Sequence, residues 1–224
     1  MLSLLTLFVS TLISVSSYSL RLDKSLSLKW EIINPQSLDH QKTVKFTLIL
    51  KNYKKGWAGI GWRLDPDNYP FPMANADYVI CYFNEPRIDN KEMGCFDGYL
   101  FTNNQLGADG QTNWEAVMPI PVPDSNPLVG GRNNIEFLSN ESYRKVKDKD
   151  VITKWVFFRK VNTGDPKDAI LTNKNIQGIW AYHDSDANWE TQNKKWNDNT
   201  RPSYHSNKNR GRFVFNLIPG EEDL

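Results

Sequence analysis

The sequence predicts an all-β protein, an antiparallel β-sandwich, on three observations. Apolar and polar residues alternate with period two, most clearly in Val44-Lys45-Phe46-Thr47-Leu48, as on a strand with one buried face. Short runs of this kind recur with Pro, Gly, Asn and Asp between them, the pattern of two packed antiparallel sheets. Helical periodicity is almost absent. At 224 residues the chain suffices for one such sandwich, and a second full domain is not expected.

In chain order, the apolar stretch Leu2 to Val15 ends in small residues and reads as a secretory signal, with cleavage expected near Ser16 to Ser19 and the domain spanning 20–224. No Lys or Arg precedes it, and a retained anchor is the competing reading. Its fourteen residues fall short of the roughly 20 that cross a bilayer as a helix. Strands are expected at Leu26 to Ile33, Val44 to Leu48, Gly56 to Trp62, Tyr78 to Phe83 and Gly94 to Tyr99. Others are expected at Thr112 to Met118, Arg132 to Leu138, Val151 to Arg159, Ile176 to Tyr182 and through Phe213, Phe215 and Leu217. Two segments read as long loops. Asp65 to Ala76 holds Pro66, Pro70 and Pro72, which cannot donate to a ladder. Asp184 to Asn209 is polar and carries Trp189 and Trp196.

Cys81 and Cys95 are the only cysteines. They flank a polar turn, Asn84 to Lys91, centred midway between them, so they are expected to be cross-strand neighbours and to pair in an oxidising compartment. Free thiols acting as metal ligands are the alternative, and the spacing fits no familiar zinc pattern. Asn140-Glu141-Ser142 is a glycosylation acceptor, which agrees with export.

Lys and Arg number 27 against 26 Asp and Glu, a net charge of +1, so no long-range field draws the chain to phosphate backbones. Nucleic acid is therefore not an expected partner. The sequence has no Gly-x-Ser-x-Gly, His-Glu-x-x-His or Walker motif. Asp65 with Asp67 and Asp184 with Asp186 are loop carboxylate pairs that complete no calcium-loop signature and read as turn formers. Eight Trp supply enough apolar surface to close a core and line a pocket, with a ligand held between the sheets. A module that holds a ligand or cofactor is expected rather than one that carries out hydrolysis by itself.

Three stretches in order carry a family resemblance. The first is Gly56-Trp57-Ala58-Gly59-Ile60-Gly61-Trp62, followed by Met73-Ala74-Asn75-Ala76-Asp77-Tyr78-Val79-Ile80. The second runs from Trp155 to Asp168. The third is Ile179-Trp180-Ala181-Tyr182, then His205, then Arg210-Gly211. Together they resemble the DOMON family of extracellular haem- or sugar-binding domains over nearly all of the mature chain. The resemblance implies an immunoglobulin-like β-sandwich with long ligand-holding loops and, in cytochrome members, a b-type haem held by a Met and a His.

Carried over by position, the axial ligands implied are Met73 and His205. A thioether and an imidazole are the pair that holds low-spin haem iron in electron-transfer cytochromes and raises its potential. Met73 packing as a plug against the sandwich is the plain alternative, and His183 rivals His205 at a strand end. Asn75 stands where the family pattern often has Gly, and Lys208 is a remote third candidate, since some related domains use Lys. Trp57, Trp62, Phe71, Trp180 and Tyr204 are candidate walls of the haem slot, or ordinary core. Lys208, Arg210 and Arg212 could pair with haem propionates, or form a solvated basic edge.

The function expected is an exported haem b module for electron transfer or redox sensing, dependent on an unidentified redox partner protein or membrane oxidoreductase. A haem-free carbohydrate or small-ligand module is the alternative. A copper site of Met73, His183 and His205 is the third reading. The tail Glu221-Glu222-Asp223-Leu224 leaves release or lumenal retention open.

Overall fold

In β3 (Thr43–Lys51) the alternation read at Val44 to Leu48 runs the full strand: even-numbered residues are buried and odd-numbered ones partly exposed. The computed structural model describes residues 16–52, 56–64, 73, 75–84, 92–101, 120–124, 130–147, 150–183 and 208–220. The other strands are β1 (Ser17–Arg21), β2 (Leu26–Ile32), β4 (Gly56–Arg63), β5 (Ala76–Asn84), β6 (Glu92–Phe101) and β7 (Ile120–Pro123). After these come β8 (Ile135–Phe137), β9 (Tyr143–Lys147), β10 (Asp150–Lys160), β11 (Ile176–His183) and β12 (Arg210–Phe215). They form two antiparallel sheets. The first has the order β1-β2-β3-β10-β8, with β9 also on β10, and the second β12-β11-β4-β5-β6-β7.

The sheets face each other across an interior of large rings. Phe46 lies 5.3 Å from Phe157 and 5.6 Å from Trp62, and Phe215 lies 5.1 Å from Trp30, all between ring centroids. Those spacings are ordinary aromatic contact. Among the described residues the interior between the sheets is thus filled by the chain's own side chains.

The second sheet differs from the first in having a strand, β4, that is covered on both faces. Every residue of β4 is buried, which explains why Gly56 to Trp62 shows no polar alternation. Its even residues Ala58, Ile60 and Trp62 join the interior, while Trp57 belongs to a separate apolar cluster with Ala76, Tyr78, Ile80, Phe96 and Ile179. These residues lie on the face turned away from the first sheet.

Cys81 and Cys95 are directly paired in the β5–β6 register and form a disulfide, with Cα atoms 4.0 Å apart. Replacing both by serine is expected to lower stability by roughly 3 kcal/mol in the chain-entropy model, measurable as a lower urea midpoint. A disulfide fits an oxidising compartment. Among the described residues no helix is long and apolar enough to cross a membrane.

Some elements depart from expectation. The strand expected at Arg132 to Leu138 is only β8, because backbone N–H groups before it serve carboxylates instead of a ladder: Arg132 donates to Asp165 and Asn134 to Asp97. Edge strand β9, Tyr-Arg-Lys-Val-Lys, lacks apolar alternation and was not legible. Strand β1 falls where signal cleavage was expected, and Tyr18 stacks on Trp30 at 5.7 Å. Leu217 is buried, but β12 ends at Phe215. The strand expected at Thr112 to Met118, the stretch Leu2 to Val15 and the tail Glu221 to Leu224 lie outside the described residues.

Asn140 is exposed in the turn between β8 and β9. The Ser142 hydroxyl donates to the Leu138 carbonyl at 2.8 Å and accepts from the Val156 N–H at 2.9 Å. It thereby bridges the point where the edge partner of β10 changes.

Candidate functional site

The outer face of the second sheet gathers several of the residues singled out in the sequence. Strand periodicity puts Trp57, Gly59 and Gly61 of β4 on it, with Tyr78, Ile80 and Tyr82 of β5 and Ile179, Ala181 and His183 of β11. Met73 is partly buried and packs against the same cluster. His183 is opposite Trp57 in the register, and Arg210 and Arg212 are opposite Ala181 and Ile179. Both arginines are exposed on the edge strand β12. The register therefore brings Trp57, His183, Arg210 and Arg212 to one face, and packing places Met73 against it. Trp57 is only 4 % exposed there.

Other candidates fall elsewhere. Trp62 and Trp180 face the interior, so neither lines the outer face: Trp62 packs on Phe46 and Phe215, and Trp180 stacks on Tyr182. Trp57 and Trp62 are separated by an odd number of residues, so on one strand they must project to opposite faces. Lys208 is exposed just before β12. Phe71, Tyr204 and His205 lie outside the described residues, as do most of the loops Asp65 to Ala76 and Asp184 to Asn209.

Glycine flattens the centre of this face. A Cβ on Gly61 would sit 2.8 Å from the Asp77 carbonyl oxygen and 3.1 Å from Tyr78 Cβ, and one on Gly59 3.1 Å from an Ile80 side-chain carbon. Gly61→Ala is expected to lower stability by about 1–3 kcal/mol through overpacking against backbone, read as a lower urea midpoint with unchanged slope.

A second constellation was not foreseen. Where the sheets meet at one end, Asp77 of β5, Asp97 of β6 and Asp124 after β7 converge with Asp165 and Asp168 from the segment after β10. Arg159 enters from the first sheet. Its Nη2 donates to Asp77 Oδ2 at 2.6 Å and to the Ala169 carbonyl at 3.0 Å, and lies 3.7 Å from Asp168. The Ala169 N–H also donates to Asp77 Oδ2, at 2.7 Å. The guanidinium carbon lies 5.0 Å from the Trp62 ring centroid, a cation–π contact that the interior position of Trp62 makes possible.

Burial dominates the acidities. It raises Asp77 to about 7, against the pull of Arg159 and with the push of Asp168. Asp124 is raised to about 9 by burial and then by Asp97, and Asp97 is raised well above the usual range by burial and then by Asp77. Burial followed by Asp124 pushes the Tyr78 hydroxyl up as well. Folded carboxyls raised above their unfolded values hold more protons than the unfolded chain. In a chelating buffer this contribution is greatest below about pH 4, the unfolded carboxyl value. It is lost as pH rises through about 7 to 9. Urea unfolding at pH 5, 7 and 9 checks it, and a midpoint that climbs over this range would contradict it.

No family model matches the sequence, and no curated protein matches it. Among solved structures, the chain is similar to the cytochrome domain of Myriococcum thermophilum cellobiose dehydrogenase, at 13% identity and a TM-score of 0.48, covering 91% of this chain and 83% of that one. It is also similar to the cytochrome b domain of pyranose dehydrogenase from Coprinopsis cinerea, at 12% identity and a TM-score of 0.45, covering 85% of this chain and 76% of that one.

Proposed function

We propose that this protein is an exported electron-transfer or redox-sensing module that holds a b-type haem against the outer face of its second sheet. The observation that carries this reading is the apolar outer face itself: a glycine-flattened surface edged by Trp57, Tyr78, Ile80, Phe96 and Ile179, with the Met73 thioether packed on it. A flat macrocycle needs such a surface, and a thioether suits one axial position of low-spin iron. Arg210 and Arg212, at the exposed margin of the face, suit the propionates. When bound, haem would supply a one-electron couple, and Met73 with an imidazole would hold it.

The imidazole implied by the family resemblance is His205. The β4–β11 register favours His183 as the alternative, since it stands opposite Trp57 on the same face. Trp57, Tyr78 and Phe96 of this face are buried, whereas a carbohydrate module presents rings for stacking, so the haem reading is preferred over the sugar one. A copper site of Met73, His183 and His205 is separated by metal analysis, which should find iron without copper.

Protein purified from its native source, or expressed with haem supplied, is expected to show a Soret band and the sharp α band of low-spin ferrous haem. The band should be altered in Met73→Ala and in one of His205→Ala and His183→Ala. Absence of a Soret band, or a spectrum unchanged in Met73→Ala and both histidine variants, overturns the reading. Its electrons would pass to a redox partner protein or membrane oxidoreductase in the secretory or extracellular space.

A further inference from the structure

We propose that the carboxylates Asp97, Asp124, Asp165 and Asp168, with Asp77 beside them, form a binding site for one hard divalent cation, calcium by chemistry, that fastens the two sheets together. The donors are all oxygen, which selects calcium or magnesium over zinc or copper. One ligand atom each from Asp124, Asp165 and Asp168 lies within 4.8 Å of the others, and the same holds for Asp77, Asp97 and Asp168. Calcium accepts about six to eight oxygens in a flexible shell, whereas magnesium demands near-ideal octahedral geometry and sheds water reluctantly.

The second observation is the state of the side chains themselves. Asp124 is 0 % exposed, yet among the described residues neither of its carboxylate oxygens accepts a hydrogen bond; Asp97 Oδ1 and both oxygens of Asp168 likewise have no donor among them. Arg159 is committed to Asp77 and reaches Asp168, while Asp97 and Asp124 have no ion pair among the described residues. Buried anions without donors are strongly unfavourable. Asp165 is held by the Arg132 and Lys167 N–H groups at 2.7 and 2.9 Å and by the Asn134 side chain at 3.3 Å, and it is partly exposed, which gives an ion a way in. The donors come from β5, β6, the end of edge strand β7 and the segment after β10, so one ion would tie both sheets. The competing arrangement is a proton shared between Asp124 and Asp168, which hydrogen-bond only if one is protonated. This inference does not depend on haem.

The test uses the full chain stripped with EDTA and titrated with calcium chloride at neutral pH. One calcium per chain is expected, with the melting temperature about 5 °C or more higher at 1 mM calcium than in EGTA, and magnesium at least tenfold weaker. Asp124→Asn and Asp97→Asn, which relieve repulsion, should be no less stable than the parent in EGTA and should bind calcium at least tenfold more weakly. No binding at 1 mM by the parent protein, or unchanged affinity in both variants, overturns the site and leaves shared protons as the arrangement. If one variant does not fold, the other and the parent titration decide.

Discussion

Arg159→Leu is expected to be the most destabilising single substitution discussed here, costing about 3–5 kcal/mol, the range for breaking a buried ion pair by removing one partner. The guanidinium is the positive charge paired with Asp77 and Asp168, and it also donates to the Ala169 carbonyl and lies over Trp62. Its loss leaves Asp77 with the Ala169 N–H and adds repulsion from neighbouring carboxylates. In a domain of this size the melting temperature should fall by on the order of 10 °C. The same substitution in an Asp77→Leu background should cost much less, because the stranded charge is gone. Equal losses in both backgrounds would show that Arg159 acts through packing on Trp62 rather than through charge. Measurements with and without calcium separate this pair from the cation site.

Met73→Ala in haem-supplied protein is the second large effect. Thioether ligation raises the potential of haem iron, so its removal should lower the midpoint potential by about 100 mV or more, within the roughly 0.8 V that axial ligands span. The sharp low-spin α band should be lost while haem is retained on the apolar face. Thermal unfolding of the haem-free variant should change little, since Met73 is only partly buried at the margin of its cluster. A structural plug would give the opposite pair of results, with potential unchanged and stability reduced. Redox titration and calorimetry on the same preparation distinguish them.

The fold was legible where local physics decides it. Alternation in β3 and the spacing of Cys81 and Cys95 about a polar turn are consequences of strand geometry, and both stand in the structure. Parity could have sorted Trp57 from Trp62 as well, since five residues along a strand always reverse the face. Short edge strands such as β9 carry no apolar alternation because most of their side chains meet water, and so leave no signal.

The sequence by itself determined an antiparallel sandwich, a disulfide and an apolar, glycine-rich strand, because each depends on residues close in the chain. Only the tertiary structure decided that the space between the sheets is filled and that Met73, Trp57, His183 and Arg210 share the outer face. It also decided that Asp77, Asp97, Asp124, Asp165 and Asp168 converge at one end. In sequence these aspartates are spread over Asp77 to Asp168, some in strands and some in turns, with nothing that groups them. What separates them from ordinary loop carboxylates is burial, and burial follows from how two sheets close over one another.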